Sequence, residues 1–235
     1  MFTGIVRGTA PVATVERSDG WQTIAICLGD DLLESLEIGA SVAVDGVCLT
    51  ATRIEEPFVH FDVILSTLSR TTLHSLQVGQ LLNIERSRHS DSEIGGHDVS
   101  GHIDCVATLT EITTPPGNRC LRFHLSPHWM RYIFPHSFVA INGVSLTVGD
   151  IDKNRSLFDT WLIPETIRRT NLGQLAIGDA ANIEIHRGVQ VLVDSVTDAV
   201  NHFFAKTLET GEIPSPQTES ISQLMRLLGR SNTLG

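Results

Sequence analysis

The sequence predicts an all-β protein in which two similar small β-barrels stand in tandem and are followed by one C-terminal α-helix. Three observations support this fold class. The chain repeats itself at a nearly constant offset, each copy is divided into short strands by frequent turn signals, and helical spacing of apolar residues begins only at Val189. The 235 residues are enough for two domains of about 100 residues, each with its own core.

The internal repeat is the strongest of these observations. The segment from Gly39 to Thr50 aligns with the segment from His136 to Thr147 at an offset of 97 residues. Chance likeness between two hydrophobic β segments does not explain matches that keep their order across most of a half, so we predict domains at residues 1–96 and 97–187. The other matches are Gly4–Val6 with Gly101–Ile103, Ser66–Leu73 with Glu165–Leu172, and Asn83–Glu85 with Asn182–Glu184.

Each half is predicted to consist of short strands. Asp45-Gly46 and Asn142-Gly143 are strong signals for two-residue hairpin turns, and runs rich in Val and Ile flank both. Strands that are interrupted this often are typical of a small closed barrel. Each half also contains one segment that suggests a short helix, at residues 30–36 and 126–133.

The C-terminal region is predicted to form one amphipathic helix, assigned to residues 188–210. Its apolar face could pack on its own barrel or on copies of itself, and we favour oligomerisation because both barrels are already complete. The tail at residues 211–235 contains Pro214, Pro216 and many Ser and Thr residues, which predicts disorder. The apolar residues at helical spacing are Leu192, Val193, Val196, Val200, Phe203 and Phe204.

Charge and hydropathy exclude several classes of partner. The formal net charge of −10 gives no general attraction to nucleic acid or to anionic lipid. No apolar run approaches the roughly 20 residues that span a bilayer, and residues 1–6 lack the pattern of a signal peptide. We therefore expect a cytoplasmic protein with no nucleic-acid or membrane partner.

The cysteines point to neither a disulfide framework nor a metal site. Cys27, Cys48, Cys105 and Cys120 have no C-x-x-C spacing, so we expect reduced thiols. The nearest approach to a ligand cluster is His97, His102 and Cys105, whose separations fit no common zinc pattern. No metal is predicted.

A polar pair follows each predicted hairpin turn. Cys48 and Thr50 in the first half correspond to Ser145 and Thr147 in the second, and residues at i and i+2 face the same side of a strand. Small polar residues often follow turns for structural reasons alone. Because this pair recurs at matching repeat positions, we favour two similar ligand pockets.

Several motifs resemble, in order, those of the riboflavin synthases, and the resemblance extends from Met1 to about Val200. It implies two lumazine-binding barrels per chain, a homotrimer assembled by the C-terminal helix, and an active site between the first barrel of one subunit and the second barrel of a neighbour. The implied reaction converts two molecules of 6,7-dimethyl-8-ribityllumazine into riboflavin and 5-amino-6-(D-ribitylamino)uracil without a cofactor. The motifs are Met1–Val6, Gly46–Thr50, Gly95–His97 with Ser100–His102, Gly143–Thr147 and Pro164–Thr170.

The resemblance also implies the site residues. The candidates for the reacting centre are Cys48, His102, Ser145 and Thr147. The first pocket would be lined by Gly4, Ile5, Val6, Ser41, Cys48, Leu49, Thr50, Asp62, Val63, Ile64, Leu65, Ser66 and Thr67. The second pocket would be lined by Gly101, His102, Ile103, His136, Ser145, Leu146, Thr147, Leu162, Ile163, Pro164, Glu165, Thr166 and Ile167.

Some positions depart from the family pattern. His186 stands where an aspartate is usual, His136 replaces a lysine, Asn142 an aspartate, and Ser66 a glutamate. These changes alter charge near the chemistry and leave the pockets recognisable, so the alternative is a non-catalytic lumazine- or flavin-binding protein. The surviving second-half motifs favour the synthase. A flavin-reductase-like barrel would need a phosphate-binding G-x-G-x-x-G, which the chain lacks.

Overall fold

The computed structural model describes residues 1–88 and 95–210, and most of this part of the chain forms two closed antiparallel barrels. The predicted tandem barrels are therefore confirmed. The first barrel consists of β1 (Gly8–Ser18), β2 (Trp21–Cys27), β3 (Ser41–Val44), β4 (Val47–Glu55), β5 (Phe58–Ile64) and β6 (Leu81–Arg86).

The second barrel repeats the strand order of the first. Around the first ring the order is β1-β2-β5-β4-β3-β6, and the equivalent strands follow each other in the same sequence in the second. Its strands are β7 (Cys105–Thr113), β8 (Arg119–His124), β9 (Phe138–Ile141), β10 (Val144–Asp152), β11 (Leu157–Leu162) and β12 (Ala180–Ile185).

Both predicted hairpin turns are present. Asp45 and Gly46 connect β3 to β4 with φ angles of 45° and 81°, and Asn142 and Gly143 connect β9 to β10 with 45° and 78°. Two successive positive φ angles match the right-handed twist of the flanking strands. The two turns abut, since a Cβ atom on Gly46 would lie 2.6 Å from the Gly143 nitrogen.

Asparagine side chains join the two barrels at this seam. The Asn83 side-chain amide donates to the Asn142 carbonyl oxygen at 2.9 Å, and the Asn182 amide donates to the Asp45 carbonyl oxygen at 2.9 Å. Asn83 and Asn182 are fully buried, and each also accepts a backbone N–H from the opposite half. Because buried amides need such partners, the seam specifies one arrangement of the barrels.

The short helices are α1 (Asp30–Leu33), α2 (Leu65–Leu68), α3 (Pro127–Met130) and α4 (Pro164–Arg169). The predictions of α1 and α3 are confirmed, whereas α2 and α4 were not expected from the sequence. A fifth helix, α5 (Arg187–Thr210), occupies the segment in which helical spacing was found. The predicted disordered tail, residues 211–235, lies outside the described residues. Among the residues described, no helix is both long and apolar enough to cross a membrane.

Candidate active site

The repeated polar pairs lie on the outer faces of their barrels. Leu49 and Leu146 are buried in the barrel interiors, whereas Thr50 and Thr147 are exposed and Cys48 and Ser145 are half-buried. This alternation is expected because successive side chains of a strand point to opposite faces of the sheet, and one face forms the barrel core. The predicted orientation of both pairs is therefore confirmed.

A buried carboxylate holds the chain just before β1. Glu85 on β6 accepts the backbone N–H and the hydroxyl of Thr3, both at 2.7 Å, and the Gly4 N–H at 3.0 Å. Burial raises the pKa of Glu85, and the hydrogen bonds from Thr3 and Gly4 oppose that rise. Three donors on one carboxylate fix the direction in which the Gly4 carbonyl points.

The second half repeats this anchor. Glu184 on β12 accepts the backbone N–H of Ser100 at 2.7 Å, the Ser100 hydroxyl at 2.8 Å and the Gly101 N–H at 2.9 Å. The two anchored segments run side by side, because Phe2 and Val99 exchange backbone hydrogen bonds of 2.8 and 3.1 Å.

Each anchored glycine reaches the opposite barrel. The Gly4 carbonyl accepts the N–H of Ser145 in the second barrel at 2.8 Å, and the Gly101 carbonyl accepts the N–H of Cys48 in the first at 2.9 Å. These two contacts cross between the barrels, whereas residues 4–6 were expected to line the first pocket and residues 101–103 the second; which pocket each segment lines stays a prediction. The physical reason for the crossing is the antiparallel Phe2–Val99 bridge, which carries each segment across the seam.

Only glycine fits at these two contacts. A Cβ atom on Gly4 would lie 2.6 Å from the Ser145 Cβ, and one on Gly101 would lie 2.5 Å from the Cys48 Cβ. Both glycines also have positive φ angles, 75° and 83°, which other residues rarely adopt. The repeated glycines are therefore explained by close backbone approach to the polar pairs.

Ser145 has a histidine partner. The Nδ1 atom of His97 lies 2.6 Å from the Ser145 Oγ, and the imidazole stacks on Phe138 with ring centroids 5.3 Å apart. The ring of His186 lies 6.0 Å away. Burial, followed by the charge of the nearby His186, lowers the pKa of His97 to about 4, so this imidazole is neutral at neutral pH.

Cys48, the counterpart of Ser145, has a different environment. In residues 1–88 and 95–210, no group makes a hydrogen bond to its thiol. The two otherwise similar sites thus differ in that only Ser145 is paired with an imidazole in the part of the chain that is described.

A cavity of about 370 Å³ opens beside Thr147 on the second barrel. His136 and Trp161 also line it, together with Pro135, Val148, Gly149 and Asp150. His136 has a φ angle of 64° and donates its N–H to Val148 at 2.9 Å. The first repeat has Gly39 at this left-handed position, with a φ angle of 91°.

The predicted site residues divide by burial. Leu49, Val63, Leu146 and Leu162 are buried, so their side chains belong to the barrel cores and only their backbone could meet a ligand. Ile103 packs against the core of the first barrel. The exposed or half-exposed predicted residues are Ile5, Val6, Ser41, Thr50, Asp62, Ile64, Leu65, Ser66, Thr67, His102, His136, Thr147, Ile163, Pro164, Glu165, Thr166 and Ile167.

Two of the exposed carboxylates already have partners. Asp62 accepts the Thr23 hydroxyl at 2.8 Å. Glu165 pairs with Arg169 at 2.9 Å and also with Arg168. Within the described part of the chain, no group of His, Cys, Asp and Glu side chains is arranged to hold a metal ion.

Sequence reasoning missed four residues of this site. In the sequence, Glu85 and Glu184 serve only to align the two repeats, although each follows Asn-Ile and this recurrence is the available signal. His97 belongs to a motif, but only the fold reveals its bond to Ser145. Trp161 gave no signal because nothing in the first repeat resembles it.

Comparisons with known proteins agree with this geometry. A family profile described as the lumazine binding domain matches residues 3–87 and again residues 100–186. The riboflavin synthase of Escherichia coli (strain K12) is 43% identical over 197 residues, which cover 83% of this chain and 92% of that protein. Nothing in the described residues conflicts with the repeat that the profile finds.

Solved structures show the same relationship. LumP complexed with riboflavin is 30% identical with a TM-score of 0.74, covering 79% of this chain and 100% of LumP. LumP complexed with 6,7-dimethyl-8-(1'-D-ribityl) lumazine is 30% identical with a TM-score of 0.71, covering 78% and 98%. With its two matching repeats and its likeness to a synthase over most of its length, the chain belongs to the lumazine-binding-domain family that includes the riboflavin synthases.

Proposed function

We propose that this chain is a riboflavin synthase, which converts two molecules of 6,7-dimethyl-8-ribityllumazine into riboflavin and 5-amino-6-(D-ribitylamino)uracil. The observation that carries the proposal is the pair of equivalent outer sites. Each consists of an outward polar pair, Cys48 with Thr50 or Ser145 with Thr147, and a glycine carbonyl supplied by the other half. The synthase relatives support catalysis over binding alone.

The chemistry explains why the chain needs two similar sites. One lumazine gives up a four-carbon unit and an identical lumazine accepts it, so the protein has to hold two copies of the same ring. Positioning two reactants in a productive geometry can lower a barrier by roughly 7–11 kcal/mol, and the proposed reaction uses no cofactor. Backbone groups beside Gly4 and Gly101 would bind the ring edge, and the outward hydroxyls would hold the ribityl chains.

The second site is suited to proton transfer. The lumazine ring is electron-poor and its 7-methyl group is acidic, so a base has to receive a proton from it. His97, which is neutral at neutral pH, can accept the hydroxyl proton of Ser145 as the Ser145 Oγ takes a proton from the substrate. His102 and Thr147 are exposed near the two sites and remain candidates for contact with the reacting rings.

The proposal includes an assembly that completes the sites. Both polar pairs face outward from their own barrels, which supports a site that is completed by another subunit. We place the active site between the first barrel of one subunit and the second barrel of a neighbour, in a homotrimer joined through the apolar face of α5. Residues 1–96 and 97–187 then act as separate lumazine-binding domains. The four free thiols suit a reducing compartment such as the cytoplasm.

Two observations bear on the alternative, a lumazine- or flavin-binding protein without turnover. LumP, which has been solved in complex with riboflavin and with a lumazine, matches 79% and 78% of this chain in the two complexes. His136 and His186 also change the charge beside the second site relative to the family pattern. The synthase and the non-catalytic binding protein differ only in whether products form from the lumazine.

Turnover and binding have to be measured on the same preparation. The intact protein is incubated with 6,7-dimethyl-8-ribityllumazine, and products are separated by chromatography. Ser145→Ala serves as the matched variant because it removes only the hydroxyl. The synthase predicts products from the wild type and at least a tenfold lower rate from the variant with little change in lumazine affinity. Tight binding with no product from either protein would establish the alternative.

A further inference from the structure

Trp161 lies on the outer face of the second barrel, at the cavity beside Thr147. Its strand neighbours Thr160 and Leu162 are fully buried, so strand alternation turns the indole outward, where it is 52% exposed. The Thr160 hydroxyl donates to the Thr147 carbonyl oxygen at 3.0 Å and holds β10 and β11 together at this point. The indole therefore lines the same cavity as the predicted substrate contacts His136 and Thr147.

The barrel core does not explain this tryptophan. The interior is filled by other side chains, including Phe123, Phe158 and Leu162, all fully buried. A large aromatic surface left in water contributes little to folding, since burial is what stabilises apolar side chains. An exposed indole in the wall of a cavity is instead typical of ligand contact.

The repeat provides an internal comparison. The residue equivalent to Trp161 in the first barrel is Asp62, whose carboxylate accepts the Thr23 hydroxyl. The same backbone position thus presents a flat π surface in one barrel and an anion in the other. The equivalent positions Gly39 and His136 also differ between the barrels. Only the second barrel has an imidazole at this position, and it lines the cavity.

We propose that Trp161 stacks on the heteroaromatic ring of the ligand in the second-barrel pocket and is the specificity-determining residue of that pocket. The ligand class is a planar bicyclic or tricyclic ring such as a pteridine or a flavin. This inference rests on the proposed function only for the identity of the ring. Asp150 and His136 on the cavity rim face the polar substituents of such a ring, while Trp161 contacts its plane.

The experiment uses the chain's own tryptophans and a ligand that does not turn over. The sequence contains three tryptophans, Trp21, Trp129 and Trp161, so the W21F/W129F protein has Trp161 as its only indole. Riboflavin is titrated into this protein while tryptophan emission and binding heat are recorded. In the wild-type background, W161A and W161F are compared with W21A, a matched removal of an indole that is 44% exposed outside the cavity.

Stacking predicts strong quenching of the single indole as riboflavin binds. W161A is expected to weaken one class of riboflavin sites by about 5- to 150-fold, the range for loss of an aromatic platform. W161F should recover much of that affinity, and W21A should leave it unchanged. Thermal unfolding of W161A should match the wild type, which separates a ligand contact from a structural role.

The proposal is overturned if the emission of Trp161 is unaffected at saturating riboflavin, or if W161A and W21A bind riboflavin equally well. Failure of the proposed function would look different, because it concerns product formation from lumazine and not the response of this indole. A protein that quenches on binding and forms no product would retain Trp161 as a stacking residue and lose only the synthase assignment.

Discussion

Asp45 provides a sharp test of how the two barrels are joined. Its side chain is only 2% exposed, and its Oδ1 accepts the Asn83 N–H at 2.7 Å and the Asn171 side-chain amide at 2.8 Å. Burial raises the pKa of this carboxyl from 3.8 to about 7, and these hydrogen bonds only partly oppose the rise. Its repeat counterpart, Asn142, forms the equivalent bond to the Asn182 N–H at 2.8 Å without a charge.

The substitution Asp45→Asn should therefore change the pH dependence of stability. Between pH 3.8 and about pH 7 the native carboxyl keeps a proton that the unfolded chain has lost. The unfolded state binds fewer protons there, so this group makes the wild type less stable as the pH rises through that window. At about 1.4 kcal/mol for each pH unit, the full effect is about 4 kcal/mol as an upper bound.

The assay is urea unfolding of both proteins at several values between pH 4 and pH 8. We expect the stability of D45N relative to the wild type to increase across this range by as much as about 4 kcal/mol. Asn142→Asp is the matched control, because it places a second carboxyl at the equivalent seam position and should steepen the loss. Parallel curves for D45N and wild type would refute the account of a buried carboxyl that stays protonated.

Three further predictions concern the site. Gly101→Ala should reduce turnover at least 100-fold, because the new Cβ would lie 2.5 Å from the Cys48 Cβ and 2.9 Å from the Cys48 nitrogen. Steady-state kinetics tests this beside the control Gly8→Ala, where the new Cβ has no atom within 4 Å. His136→Gly should stabilise the chain by about 0.5–1 kcal/mol, because Gly39 adopts the same left-handed backbone without strain. The same substitution should weaken riboflavin binding. Unchanged stability together with unchanged riboflavin affinity would contradict this prediction. His186→Asp should raise the pKa of His97 from about 4, so that on acidification the activity should fall at a higher pH than in the wild type. An unshifted acid limb of the pH–rate profile would show that His97 is not the base.

Much of the fold could be predicted because local signals and the repeat agree. Asp45-Gly46 and Asn142-Gly143 require positive φ angles, which specify tight hairpins whatever the tertiary context. Alternation along β4 and β10 then determines which residues face out. The outward polar pairs were predictable for the same reason.

It could not be predicted that Gly4 and Gly101 each contact the opposite barrel. The sequence shows that Gly4 and Gly101 are equivalent, but not which barrel each one contacts. That choice depends on Phe2 meeting Val99 and on Glu85 and Glu184 orienting the two segments, which are contacts between residues more than 80 positions apart. The bond between His97 and Ser145 is hidden for the same reason, because tertiary contacts bring together these residues, which are 48 positions apart in the sequence.

The measurement that tests the central claim most directly is the stoichiometry of the reaction. Lumazine consumption, riboflavin formation and pyrimidinedione formation are followed together in the presence of the intact protein, with a protein-free control. We predict two lumazines consumed for each riboflavin and each pyrimidinedione, at a rate far above the control. Lumazine that is bound by the protein but recovered unchanged would contradict the claim that these two sites carry out a dismutation.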